Sequence, residues 1–266
     1  VNFNSIELAR KIRTESLKMV HRAHASHIGG SLSIADLLAV LYSEILNVDS
    51  KFPDNHRRDR FILSKGHSCV SVYAVLALCG FFNFDELKKY GKNDSILMSH
   101  ISHKVPGVDF STGSLGHGLP FAAGKALAAK RHGESWRTFV MLGDGELDEG
   151  SNWEAMMFAS HLQLDNLVAI VDYNKIQSLG ITNDIIRLEP LKSKFEAFGW
   201  SVKELDGHNH TQIISTLREL PFANKCPSCI IAHTIKGKGV SFMEDKLLWH
   251  YKSPDDDELK QALGEI

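Results

Sequence analysis

Thr138-Phe139-Val140-Met141-Leu142-Gly143-Asp144-Gly145 is the stretch whose reading decides the fold. Thr138 to Leu142 is a short run of strand formers that ends in glycine. Glu146 to Gly150 then leads into a helical pattern from Ser151 to Leu162. A buried strand thus hands over to a helix at Gly143-Asp144-Gly145, where free backbone N–H groups and the helix dipole favour a phosphate. Asp144 puts a hard carboxylate at the same place. After a second apolar run, Leu167 to Val171, comes Asp172-Tyr173-Asn174-Lys175-Ile176, with Asn174 at the end of another strand. A carboxylate, a side-chain amide oxygen and a nearby backbone carbonyl, joined by two phosphate oxygens and a water, complete an octahedral magnesium site. Either half alone also fits an ordinary turn. Their pairing at two strand ends points to a metal-bridged phosphate.

Outward from this centre the chain alternates strand and helix. Ser5 to His24 reads as an amphipathic helix with Ser5 as N-cap, and Ser33 to Asp36 as a capping box opening a helix through Ile45. Arg60 to Leu63 is a short strand, followed by Ser64-Lys65-Gly66-His67 and a helix from Val70 to Leu78. A short helix around Asp85 to Tyr90 precedes a loop with His100 and His103. Gly113 to Gly118 opens an Ala-rich helix through Lys130. Beyond Asn174 the pattern gives a helix at Leu191 to Phe198, a strand at Ser201 to Glu204, a helix at Thr211 to Leu220 and a last strand at Ser228 to His233. Ser253 and Pro254 read as the cap and first residue of a closing helix. Five strands alternating with helices predict an α/β, doubly wound parallel sheet in one domain, 1–266, with an irregular loop and helix from about 235. Ligands of such sheets bind beyond the carboxyl ends of the strands. His67, Asp144 and Asn174 each follow a strand end, and the loop bearing His250 follows the last one.

Composition excludes several classes. A chain of 266 residues with 43% hydrophobic content can bury a full α/β core. A net charge of −2, mixed along the sequence, gives no reason to expect nucleic acid or an anionic membrane surface as partner. The absence of a membrane-length apolar run or a signal-peptide core leads to an expected cytoplasmic location. Cys226-Pro227-Ser228-Cys229 has no second metal-binding pair to complete a zinc set and reads as two ordinary thiols. Gly113 to Gly118 has the wrong glycine order for a dinucleotide fingerprint, and neither a Walker A nor a GxSxG motif is present.

Taken together, these segments resemble the diphosphate-binding half of a transketolase over nearly the whole chain. Ala25 to Gly30 is similar to the family's first active-site histidine segment, and Leu63 to His67 to the segment whose histidine meets the diphosphate. Pro106 to Val108 with Thr112 to Gly118 resembles the loop against the cofactor, and Gly237 to His250 the loop with the last active-site histidine. The resemblance implies thiamine diphosphate, thiamine-diphosphate-binding fold, and magnesium, with calcium or manganese as substitutes. The implied metal ligands are Asp144, Asn174 and the carbonyl of Ile176. The implied cofactor contacts are His67, Gly113, Ser114, Leu115, Gly145, Glu149, Asn174 and His250. His27, His100 and His250 are the implied catalytic residues, able to move hydroxyl protons near neutral pH. His103 and His117 stay open, His233 closes a strand, and His208, His210 and the remaining histidines read as surface or satisfied.

The implied reaction transfers a two-carbon ketol unit from a ketose phosphate to an aldose. Ile28 and His117 stand where the family more often has proline and glutamine, which leaves the sugar open. The resemblance does not extend to the family's pyrimidine-binding domain. It therefore implies a C-terminal, pyrimidine-binding partner subunit in an α2β2 assembly. The alpha subunit of a 2-oxo acid dehydrogenase and a deoxyxylulose-phosphate synthase are the nearest rival enzymes, and a regulatory module with a relict site is the non-enzyme alternative.

Overall fold

The structure, a computed structural model, describes residues 3–266. The strands are β1 (Arg60–Leu63), β2 (Thr138–Gly143), β3 (Leu167–Tyr173), β4 (Ser201–Asp206) and β5 (Ser228–His233). All pairings are parallel, in the order β1-β2-β3-β5-β4. The helices are α1 (Ser5–Ala23), α2 (Ile28–Ser33), α3 (Ala35–Val40), α4 (Cys69–Leu78), α5 (Gly118–His132), α6 (Gly150–His161), α7 (Thr182–Ile185), α8 (Leu191–Ala197), α9 (His210–Arg218) and α10 (Asp256–Glu265).

Strand side chains alternate between two apolar layers, as a sheet covered on both faces requires. Phe61, Leu63, Phe139, Met141, Val168, Ile170 and Ile230 pack towards α1, α3, α4 and α9, where Leu8, Leu37, Val72 and Ile213 meet them. Ile62, Val140, Leu142, Ala169, Val171 and Ile231 pack towards α5, α6 and α8, through Ala122, Ala126, Met156 and Phe195. Full burial of each large aliphatic side chain contributes roughly 1.5–3 kcal/mol. The small residues of α5 let it lie close to the sheet.

The chain runs along the sheet from β1 to β3, skips to the edge strand β4 and turns back, so that β5 fills the place beside β3. Register aligns the carboxyl ends there, with Gly143 opposite Asp172 and Tyr173 opposite His233. The loops leaving β2, β3 and β5 therefore open onto one crevice, the ligand position expected of a doubly wound sheet.

Three helix starts differ from the sequence reading. Asn4, not Ser5, caps α1, its side chain accepting from Glu7 N at 2.9 Å. The helix expected from Ser33 to Ile45 is broken into α2, α3 and a π-turn at Leu41–Ile45. Its capping box does not form because both members are engaged elsewhere. Ser33 Oγ donates to Asp172 Oδ2 at 2.7 Å, and Asp36 accepts from Arg13, His208 and His210. At the other end Asp255 and Glu258 form the reciprocal cap of α10, while Ser253 Oγ donates to Val20 O.

Candidate active site

A cleft of about 280 Å³ opens beyond the carboxyl ends of β1, β2, β3 and β5. One rim is built of oxygen. Asp144, directly after β2, is buried, and its Oδ2 accepts from Lys175 N at 2.5 Å. Asn174 Nδ2 donates to Asp172 Oδ2 at 3.0 Å, which turns Asn174 Oδ1 to the opposite side, where it accepts from Ile176 N at 3.1 Å. Ile176 lines the same cleft, its carbonyl accepting from Lys236 Nζ at 2.9 Å with one lone pair left over. Lys175 takes a left-handed backbone, φ 67°, to make this turn, a strain that recurs at ligand-holding loops.

These atoms suit a hard divalent ion. One carboxylate, one amide oxygen and one carbonyl are magnesium-type donors that leave positions for phosphate oxygens. Burial, followed by the nearby Asp172 charge, pushes the Asp144 carboxyl up to about 6. A cation beside it would relieve that penalty. Among the described residues no group of three or more His, Cys, Asp or Glu side chains offers an alternative metal set.

The base of the cleft is cationic. Lys65, buried behind β1, donates to Gly30 O at 3.1 Å and to Asp172 Oδ2 at 2.5 Å. Thr234 and Ser33 also donate to Asp172. Burial raises the Asp172 carboxyl, but Lys65 and the hydroxyl donors outweigh it and hold it below the usual carboxylate range. Lys236, in the loop after β5, donates to Ile176 O at 2.9 Å and meets His250 Nδ1 at 2.9 Å. Burial and Lys65 bring the Lys236 ammonium down to about 8, so it stays charged at neutral pH. Two ammonium groups on one cleft favour a polyanionic ligand.

Histidines form the opposite wall. The His27 ring lies 5.1 Å from His67 and from His250, and 6.2 Å from His100, between ring centroids. His27 itself has φ 72°, and its N–H donates to His250 O at 2.9 Å, tying the first and last histidine loops together. Burial, then neighbouring cations and imidazoles, lowers His27 to about 4 and His250 to about 3, and His67 well below its ordinary 6.5. All three rings are neutral at pH 7. Because a lysine ammonium can only donate, His250 Nδ1 accepts and its ring proton sits on Nε2.

Most residues singled out in the sequence converge here. His27, His67, His100, Gly113, Leu115, Asp144, Gly145, Asn174, Ile176 and His250 all line the cleft. Ser114 and Glu149 do not: Ser114 is exposed, and Glu149 is the exposed residue that starts α6. The carboxylate that turns inward is Glu146, which accepts from Ser64 Oγ, from Gly116 N at 2.9 Å and from Gly143 N at 3.2 Å. It fastens the Gly113 to Gly118 loop to the end of β2. Gly145 N–H is already engaged by Asp144 Oδ1 at 2.7 Å, and a Cβ on Gly145 would lie 2.8 Å from Gln177 Cγ. Gly145 thus contributes room. His103 pairs with Ser111 and His233 with Glu204, both outside the cleft. His208 and His210, read as surface or satisfied, are only slightly exposed and bind Asp36. His208 Nε2 also accepts from Ile235 N at 2.9 Å, bracing the loop that carries Lys236.

A family model described as transketolase, thiamine diphosphate binding domain, matches residues 5–265. The chain belongs to the transketolase family. It is 43% identical over 270 residues to one of the subunits of the apulose-4-phosphate transketolase from Actinobacillus succinogenes, covering 100% of this chain and 98% of that one. It is 42% identical over 259 residues to a 6-deoxy-6-sulfo-D-fructose transketolase subunit of a Clostridium species, covering 97% and 94%. Among solved structures, the transketolase of Leishmania mexicana superposes with a TM-score of 0.91 at 30% identity, over 99% of this chain and 42% of that one. The chain therefore spans under half the length of that transketolase.

Among transketolase-fold residues, Lys65, Glu146, Asp172 and Lys236 are those the sequence reading did not single out. Lys65 and Glu146 lie inside segments recognised for His67 and Asp144, in the turns that leave β1 and β2, and a charged residue within those turns was the available signal. Lys236 had only its position after β5.

Proposed function

We propose that this chain is the diphosphate-binding subunit of a two-subunit transketolase, which moves a two-carbon ketol unit from a ketose to an aldose. One observation carries the reading: a hard-oxygen metal rim and a wall of neutral imidazoles face each other across a cleft floored by two ammonium groups. Asp144, Asn174 Oδ1 and Ile176 O would hold magnesium, or calcium or manganese in its place, with Lys65 and Lys236 offsetting phosphate charge. His67, Gly113 and Leu115 would lie along the cofactor, as would His250. When bound, thiamine diphosphate supplies the nucleophilic carbon and the electron sink for carbon–carbon bond cleavage. His27 and His100, on the open side, would hold the sugar hydroxyls. Neutral His27 can accept a hydroxyl proton, while His250 presents an Nε2–H donor to the sugar oxygen. The relatives' names refer to ketoses bearing a phosphate or sulfonate, which supports an anionic ketose as donor.

The two relatives matched nearly end to end are themselves named as transketolase subunits, which supports a partner. Exposed Leu179 and Ile181 follow the cleft residue Ser178, and exposed Leu248 precedes His250. Such an apolar rim suits a pyrimidine-binding subunit closing over the cleft, in an α2β2 arrangement. The test is ketol transfer from a ketose phosphate to an aldose phosphate, with magnesium and thiamine diphosphate, by the chain alone and after addition of its C-terminal partner. Transfer should appear only with both. Turnover by the single chain overturns the two-subunit reading, and silence of the assembled pair across phosphorylated and sulfonated ketoses overturns the activity.

A further inference from the structure

Lys236 is the corner residue of a four-residue turn, Ile235 to Lys238, and that turn is held from outside the cleft. Lys238 N donates to Ile235 O at 3.2 Å to close it, with Gly237 at φ 82° in the third position. Both ends of the turn are pinned. Ile235 N, at the start, donates to His208 Nε2 at 2.9 Å, and Lys238 O, at the end, accepts from Arg13 Nε at 3.0 Å. The two pins share one buried carboxylate, Asp36 in α3. Asp36 Oδ2 meets His208 Nδ1 at 2.7 Å, while its Oδ1 accepts from Arg13 Nη1 at 3.0 Å and lies 3.0 Å from His210 Nε2. Asp36, His208 and Arg13 all lie outside the set of residues that line the cleft.

The position of the His208 proton follows from its partners. A backbone N–H can only donate, so Nε2 carries no proton and the ring hydrogen sits on Nδ1, facing Asp36. Asp36 thereby selects the tautomer that can receive Ile235. Two glycines make room for the pins. A Cβ on Gly207 would lie 2.4 Å from Thr234 Cγ2, so the missing side chain lets the turn after β4 bring His208 beside Ile235. A Cβ on Gly239 would lie 3.1 Å from Arg13 Cδ. The pins bear on the cleft through one side chain. From the corner of the turn, Lys236 Nζ reaches Ile176 O and His250 Nδ1, both at 2.9 Å. A flexible four-carbon stem keeps such a pose only from a fixed Cα. If the corner shifts, the ammonium withdraws from His250, and the ring proton is free to move from Nε2 to Nδ1.

We propose that His208 and Arg13, held by Asp36, are positioning residues: by pinning the two ends of the turn they place Lys236 against His250 Nδ1 and so keep the His250 proton on Nε2. The benefit to catalysis rests on the ketol-transfer reading, in which His250 Nε2–H is the donor to the sugar oxygen. The pinning itself does not.

The test reads the His250 ring directly, by nuclear magnetic resonance of isotope-labelled histidine nitrogens in the ligand-free full chain at pH 7. The His250 signals are assigned by their loss in His250→Ala. Wild type should show an unprotonated Nδ1 and a protonated Nε2. Lys236→Met should shift both nitrogens towards a mixture of tautomers. His208→Leu, which fills much of the ring's volume without a donor or acceptor, should give the same shift, and should add nothing further in the Lys236→Met background. His208→Gln keeps a donor for Asp36 and an acceptor for Ile235, and should restore the wild-type pattern. Arg13→Lys keeps a cation beside Asp36 but loses the Nε donor, and should shift the ring even if His208→Leu fails to fold. In the assembled enzyme the His208→Leu loss should fall on kcat, on the order of 10- to 100-fold, with KM little changed and with rescue by His208→Gln. Wild-type His250 signals in folded His208→Leu or in Arg13→Lys overturn the proposal, and a melting temperature that falls with no change at the ring is the mark of a purely structural role. A wild-type assembly that transfers no ketol unit overturns the reaction instead, and the ring signals still decide the pinning.

Discussion

His27 combines a left-handed backbone, neighbouring His67, His100 and His250 rings and a depressed proton affinity, the features that motivate the proton-accepting role proposed for it. His67 sits deeper, packed beside Lys65 and Gly30. The two should therefore fail differently. In the assembled enzyme His27→Ala and His250→Ala should lower kcat by on the order of 100-fold or more, with cofactor affinity little changed. His67→Ala should weaken cofactor binding by about 1.5–3 kcal/mol. If all three variants lose stability, kcat and affinity together, the residues are packing groups and these roles are wrong. At this scale a place on the cleft wall was legible for Asp144 and Asn174, which follow strand ends, and for His27, which sits before paired glycines. It was not legible for Glu146 and Glu149. Both carboxylates follow the same glycine, and only the tight turn Gly145–Asp148 decides which of them swings inward.

Among the elements, β3 carries the most consequence, because its last turn holds Asp172 below the cleft and Asn174 at its rim. Asp172 accepts from Lys65, Ser33, Thr234 and Asn174, so one buried carboxylate sets both the ammonium and the metal-facing amide. Breaking such a pair from one side leaves an uncompensated buried charge, which costs about 3–5 kcal/mol. Asp172→Ala should therefore lower the melting temperature by several degrees. The double replacement Asp172→Leu with Lys65→Met should recover part of that stability while abolishing magnesium pyrophosphate binding. Denaturant titration of the two variants decides it: a double variant less stable than Asp172→Ala shows that the network, not the orphaned ammonium, carries the loss. All five strands were legible, β1, β2, β3 and β5 as bounded apolar runs and the edge strand β4, Ser201–Asp206, from Val202 and Leu205 set among polar residues. The break between α2 and α3 was not. Ser33 and Asp36 have capping-box spacing, and their actual partners, Asp172 on one side and Arg13, His208 and His210 on the other, come from distant segments that no local pattern encodes.

Over the whole molecule, the clustering of neutral histidines makes stability depend on pH before most carboxylates titrate. His27 and His250 bind protons near 4 and 3 in the folded chain, against an ordinary 6.5, and His67 is also lowered. Between those values the unfolded chain binds protons that the folded chain refuses, so the histidine contribution is complete above 6.5 and is lost as pH falls towards 4. Asp144, Glu146 and Asp148 act in the opposite sense. Burial raises all three, Asp144 to about 6, so the folded chain binds their protons first and gains stability as pH falls through the raised values. The three lowered imidazoles have an ordinary value of 6.5, above the 6 of Asp144, so from pH 7 to pH 6 their loss dominates. The ligand-free chain should thus lose melting temperature from pH 7 to pH 6. His27→Gln keeps a neutral polar side chain but removes one titrating ring, and should flatten the decline. Thermal melts at half-unit pH intervals check both. A melting temperature that rises from pH 7 to pH 6, or a slope unchanged by His27→Gln, contradicts a neutral His27 in the folded cleft and with it the proton-accepting role assigned to that ring.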